Sequence, residues 1–155
     1  MKSWAEFKHE NPELAMIGRR LIFQHRPQVG YVFLATLRKD GAPRLHPISL
    51  ILFEDQLYIV VPNTSPKCSD LLRDGRFALQ AFPPPKNEPN EEFYLAGRAV
   101  HIQQESTRQA LATSAEIQVY DNEILFELQF DRAMYTRLVN QGTPDEHPEH
   151  HKWQA

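Results

Sequence analysis

An Asp-Gly step at Asp40-Gly41 separates two long strand-forming runs, and it constrains the fold more than any other feature of the chain. Both residues tolerate the positive φ that a tight hairpin connection needs. Before it, Tyr31–Leu37 is a nearly continuous apolar run, β-branched and aromatic, the pattern of a strand buried on both faces. After it, residues from about Pro43 to Phe53 form a second strand, Glu54-Asp55-Gln56 turns the chain, and Leu57–Val61 forms a third. The pattern predicts three consecutive antiparallel strands.

Four more segments extend the pattern. Phe77–Phe82 and Glu92–Ile102 read as strands joined by a proline-rich loop. Ile124–Phe130, with Phe126, Leu128 and Phe130 alternating, and Ala133–Val139 read as the last two. Six or seven strands with few long helices predict a mostly β fold, a barrel or sandwich with peripheral helices. One helix lies at the front: Asn11 caps, Pro12 takes the first position, and Leu14, Ile17, Gly18, Leu21 and Ile22 make one buried stripe ending before Pro27. A short helix begins at Ser65-Pro66 and ends near Gly75. Another begins at Ser106-Thr107-Arg108-Gln109, which has the form of a capping box, and runs to about Thr113.

A chain of 155 residues is one domain and buries a core without disulfides or metals. That domain is expected over residues 1–142, followed by a polar tail, 143–155, that folding does not need. His147, His150 and His151 lie in this tail at spacings that fit no helix-borne metal site, so a disordered tail is expected there. Meanwhile Phe93, Leu95, Phe126, Leu128 and Phe130 give more apolar strand face than one small core needs, which predicts a homodimer. The formal net charge of -3 argues against general nucleic-acid binding. A single cysteine, Cys68, rules out an internal disulfide and favours a reducing compartment. The charged start Met1–Glu6 is not a secretory signal, and no apolar run approaches the ~20 residues of a membrane span, so a cytoplasmic protein is expected.

The chemistry concentrates at Val61-Pro62-Asn63-Thr64-Ser65-Pro66-Lys67, where a strand ends and a helix starts. The first amides of a helix have no internal partner and point outward with partial positive charge. With the Ser65 hydroxyl and the Lys67 ammonium beside them, they form a phosphate seat. Arg44, at the start of the second strand, is placed to reach the same phosphate if that strand's start lies beside the end of the third. Its planar fork suits phosphate. His46 shares a face with Arg44 in a regular strand and reads either as a ligand contact or as a rim histidine. Cys68 reads either as an activated thiol or as a small buried helix residue. Trp153 either folds over a partner subunit's site or hangs free.

Over about half the chain, Gly30 to Ile102, these segments resemble the pyridoxamine 5'-phosphate oxidase-like family of FMN-binding split barrels. The resemblance lies in Leu34–Arg44, Leu57–Val61, Ser65-Pro66-Lys67 with Leu71–Leu79, and Tyr94–Ala99. It implies a six-stranded antiparallel split barrel of Greek-key type, a homodimer, and FMN at the dimer interface. It further implies that Arg44, Ser65 and Lys67 hold the phosphate, with Thr64 beside them among the cofactor-binding residues. The backbone of Leu45, His46 and Pro47 and the strand end Val60 and Val61 would then line the isoalloxazine, with Glu92 standing where the family has a glutamine beside the flavin. Departures are specific: Pro66 replaces an arginine, Ser49 stands where the B6 oxidases carry lysine, and the tail Glu149–Ala155 lacks their Arg-x-His. The expected activity is therefore a flavin-dependent oxidoreductase acting on a small substrate, not the vitamin B6 reaction. A non-catalytic flavin, deazaflavin or haem protein, or a cofactor-free dimer, is the alternative.

Overall fold

The computed structural model describes residues 1–155. In chain order it holds α1 (Trp4–Glu10), α2 (Pro12–Ile22), β1 (Val29–Leu37), β2 (Pro43–Phe53), β3 (Gln56–Pro62), α3 (Pro66–Arg73), β4 (Arg76–Ala81), β5 (Glu91–Ile102), α4 (Glu105–Ser114), β6 (Glu123–Val139) and β7 (His147–Gln154). The strands form one antiparallel sheet in the order β3-β2-β1-β4-β5-β6-β7. A further pairing of β3 with β6 closes the first six into a barrel. The expected hairpins form, and Gly41 adopts φ 84° in the β1–β2 turn.

The barrel is split between β2 and β3. These strands pair only at Ile51–Phe53 with Gln56–Tyr58. From Tyr58 onward β3 pairs with β6 instead, Tyr58–Pro62 against Glu127–Glu123. The first part of β2, Pro43–Leu50, therefore has β1 on one edge and no strand on the other. Two unpaired edges face each other across this gap, each with backbone groups that the sheet leaves unmatched.

Several expectations need correcting. The two C-terminal strands are one continuous strand, β6, carrying a bulge: Gly97 pairs with Phe130 and Ala96 with Arg132, which leaves Asp131 over. Gly97 is obligatory there, because a Cβ would sit 2.1 Å from the Gln129 carbonyl oxygen. Residues 143–155 are no free tail, since His147–Gln154 pairs along β6 from Val139 to Arg132. Trp153 lies edge-on to Phe7 at 4.8 Å and to Phe130 at 5.8 Å. The α4 N-cap is Gln104, so Ser106 lies inside the helix and caps nothing. A whole helix, α1, precedes the expected one, opened by a capping box between Ser3 and Glu6. Finally, Phe93, Leu95, Phe126, Leu128 and Phe130 are all interior. Their apolar surface is not surplus, because Trp4 and Phe7 of α1 and Leu14 and Leu21 of α2 cover it and join the same core.

Candidate functional site

The β1–β2 register decides which side chains face inward. Arg44 lies opposite Thr36, and His46 opposite Leu34. Directly paired residues share a sheet face, and Thr36 and Leu34 are buried, so Arg44 and His46 both point to the interior side. Leu45 and Pro47 point the other way, and Leu45 is 66% exposed.

Arg44 meets the helix by a different route from the one the sequence suggests. The start of β2 does not pair beside the end of β3; instead α3 packs against β1 and β3 and brings Asp70 to Arg44. Arg44 Nε donates to Asp70 Oδ2 at 2.8 Å, Thr36 Oγ1 donates to the same oxygen at 2.9 Å, and Arg73 donates to Oδ1 at 3.2 Å. Asp70 is 4% exposed. Burial pushes its carboxyl upward, but the bonds from Arg44, Thr36 and Arg73 together outweigh burial and hold it below the ordinary carboxylate value. The Arg44 Nη groups make no bond within the chain.

Around this ion pair stand the other cations. His46 Nε2 is buried and has no hydrogen-bond partner. Burial lowers the His46 pKa, and the charges of Lys67 and then Arg44 lower it further, with Arg38 adding to them and Asp70 opposing. His46 thus holds a proton less readily than an ordinary imidazole, under the charges of three cations and one carboxylate. Ser65 is the α3 N-cap, yet its side chain makes no capping bond, so its hydroxyl remains available. Thr64 is exposed, and Ser65 and Lys67 are half-buried. Arg44 and Lys67 thus both lie near enough to His46 for their charges to act on it. Cations so placed attract and orient an anion through charge-assisted hydrogen bonds.

Other expected residues fall elsewhere. Val61 is buried in the main core, and Val60 packs against a second cluster containing Val29, Ile51 and Tyr58. At the split, Val61 can therefore offer backbone but no side chain. Glu92 lies on β5 beside a hollow lined by Phe33, Gln80, Ala81, Pro83, Asn90 and Glu91. Phe33 pairs with Pro47, so this hollow belongs to the outer sheet face, and within one chain Glu92 does not join Arg44 and His46 on the inner one. Cys68 is fully buried and its thiol is pushed up by burial, which makes it a core residue and not a nucleophile. His147, His150 and His151 are strung along β7, with His150 Nδ1 2.9 Å from Thr136 Oγ1. No group of three or more His, Cys, Asp or Glu side chains is placed to hold a metal.

Asp70 and Thr36 are not among the residues that the sequence pattern marks, although each carries a signal. Thr36 is the one small polar side chain in the run Tyr31–Leu37, and a hydroxyl on a buried face must find a partner. Asp70 sits mid-helix in α3, where aspartate is a weak helix former.

No protein-family model matches the chain, and no curated protein matches it in sequence. Solved structures do match in shape. A heme binding protein from Mycobacterium smegmatis superimposes with a TM-score of 0.59 at 18% identity, over 85% of this chain and 56% of that one. This chain thus spans little more than half of that protein's length. A NimC/NimA-family protein from Clostridium acetobutylicum gives 0.60 at 17% identity, covering 95% and 99% of the two chains. HutZ, the heme storage protein of Vibrio cholerae, gives 0.56 at 14%, covering 84% and 92%. At these identities the likeness concerns the fold. The chain is a split barrel: a closed six-stranded antiparallel barrel with one added strand and four helices.

Proposed function

We propose that this chain binds a phosphorylated, flat heteroaromatic cofactor in the split of the barrel, FMN before others, and works as a flavin-dependent oxidoreductase on a small organic substrate. The observation that carries this reading is the junction of two features. The charges of Arg44 and Lys67 both bear on His46 and the Ser65 hydroxyl makes no capping bond, which supports an anion seat; the β2 and β3 edges part between the strand that carries Arg44 and the strand that leads into α3. Flat rings with polar rims suit unpaired strand edges, because backbone N–H and C=O groups can match them in the ring plane. The residues present fit such a group: Arg44 offers its Nη groups, Lys67 a point charge, and Leu45 to Pro47 an open edge. When bound, a flavin supplies the hydride or electron transfer itself. This chain's residues bind the phosphate, orient the ring, and shield one side of it from water.

The outer face of β1 and β2 supports a homodimer with the cofactor near its interface. Tyr31 is 43% exposed and Leu45 66% exposed. Phe33 stacks on Phe82 at 4.4 Å beside them, giving an apolar patch of the kind that marks interfaces. No helix is long and apolar enough to cross a membrane. The single cysteine, Cys68, is buried and free, which supports a reducing, cytoplasmic setting.

A second reading is a haem or deazaflavin protein without turnover. The unpartnered His46 Nε2 favours it as a candidate iron ligand, and the fold is shared with a heme binding protein and with an F420 reductase (TM-score 0.55, 14% identity, covering 75% and 95%). Titration of the purified chain with FMN, with a deazaflavin and with haemin, each followed by its visible spectrum, separates the readings. Tight FMN binding with weak haemin binding is the expected result. Preference for haemin, abolished in His46→Ala, would replace the first reading by the second.

A further inference from the structure

We propose that Asp70 is the positioning residue of the anion seat: its carboxylate fixes the Arg44 guanidinium so that the terminal Nη edge, and not Nε, meets the phosphate. The assignment rests on the phosphate seat of the reading above.

Three elements converge on this one buried carboxylate. Thr36 comes from β1, Arg44 from β2, and Asp70 and Arg73 from α3. A guanidinium has an Nε-containing edge and a terminal edge, and its donors lie in one plane. Donation of Nε to Asp70 Oδ2 consumes the first edge and leaves the second, whose Nη groups have no partner in the chain. Arg73 holds Oδ1 and Thr36 shares Oδ2, so the carboxylate cannot swing round to the terminal edge. Arg44 stays 23% exposed at its side chain while Asp70 is 4% exposed, so the arginine side chain, unlike the carboxylate, is within reach of a ligand. The same short helix carries Lys67 one turn before Asp70. One rigid element therefore sets the position of one cation directly and aims the other through its carboxylate.

The test compares FMN with riboflavin, which has the same ring system and no phosphate, in the parent chain and in Asp70→Ala, Asp70→Asn, Arg44→Ala and the Asp70→Ala/Arg44→Ala double variant. Asp70→Ala is expected to weaken FMN about tenfold and leave riboflavin unchanged, since a disordered guanidinium loses one charge-assisted bond. Asn keeps an acceptor for Arg44 Nε and Thr36, so Asp70→Asn restores FMN binding to within about threefold of the parent, or tightens it by removing a negative charge near the ligand. The double variant is no weaker than Arg44→Ala alone. In ¹H–¹⁵N spectra the Arg44 Nε–H signal is protected in the parent and in Asp70→Asn and lost in Asp70→Ala.

Unchanged FMN affinity in Asp70→Ala, parallel weakening of FMN and riboflavin, or an Asn variant as weak as the Ala variant overturns the proposal. If Asp70→Ala does not fold, Asp70→Asn decides alone: loss of the protected Nε–H with FMN affinity retained overturns it, and retention of both supports it. If the parent binds neither FMN nor inorganic phosphate, the seat falls and the proposal with it. If inorganic phosphate shifts the Arg44 Nη signals while FMN does not bind, the proposal stands and only the flavin reading falls.

Discussion

Trp153→Ala probes the segment that reads as a polar tail in the sequence and forms β7 in the fold. Trp153 is half-buried and meets two fully buried rings edge-on, Phe7 at 4.8 Å and 62° and Phe130 at 5.8 Å and 68°. Truncating a fully buried tryptophan to alanine costs about 3–5 kcal/mol. Half burial halves the area removed from water, which brings the cost to about 1.5–2.5 kcal/mol, and the two edge-to-face contacts, largely counted already in that figure, add about 0.5 kcal/mol between them. The expected loss is therefore about 2–3 kcal/mol. At roughly 2–4 °C per kcal/mol for a domain of this size, the thermal midpoint should fall by about 4–12 °C. Glu149→Ala is the matched control on the same strand: its ion pair with Arg137 is exposed, so it should cost less than about 1 kcal/mol. Removing residues 143–155 loses the β6–β7 pairing as well, and should cost more than Trp153→Ala. Thermal and urea denaturation by circular dichroism measure all three. A Trp153→Ala midpoint within about 1 °C of the parent would show that β7 does not dock on the core.

Two further outcomes follow from the structure. Because burial, Lys67 and Arg44 lower the His46 pKa in the folded chain, the unfolded chain takes up its proton at the higher pH; stability should therefore fall as pH drops below about 6.5. A His46 imidazole titrating by NMR at or above the ordinary value would contradict this. Leu45→Glu places a charge on the exposed apolar face of β2 and should convert the proposed dimer to monomer in light scattering, with the thermal midpoint of the fold little changed; a dimer of undiminished stability would move the interface elsewhere.

The parts of the molecule legible in the sequence are those set by local periodicity. The Asp40-Gly41 hairpin and the alternation of β2 suffice to put Arg44 and His46 on one face. The Asn11-Pro12 start defines α2, where Asn11 Oδ1 accepts from the Leu14 N–H at 3.2 Å. What is not legible is non-local. β7 is polar on both faces apart from Trp153, so its strand character lies in backbone pairing along β6 and not in its own pattern. Trp4 and Phe7 close the barrel over Phe130, and without α1 the inward alternation of β5 and β6 reads as surplus surface. The Arg44–Asp70 pair joins residues 26 positions apart, and only the packing of α3 makes them neighbours.

The most direct test of the proposed site is a titration of FMN and riboflavin into Arg44→Ala and Lys67→Ala. Each side chain supplies charge-assisted hydrogen bonds to one phosphate, worth about 1.5–3 kcal/mol. FMN affinity should therefore drop by about one to two powers of ten in each variant, while riboflavin binding stays as in the parent. FMN binding unchanged in both variants would contradict the phosphate seat at the split of the barrel.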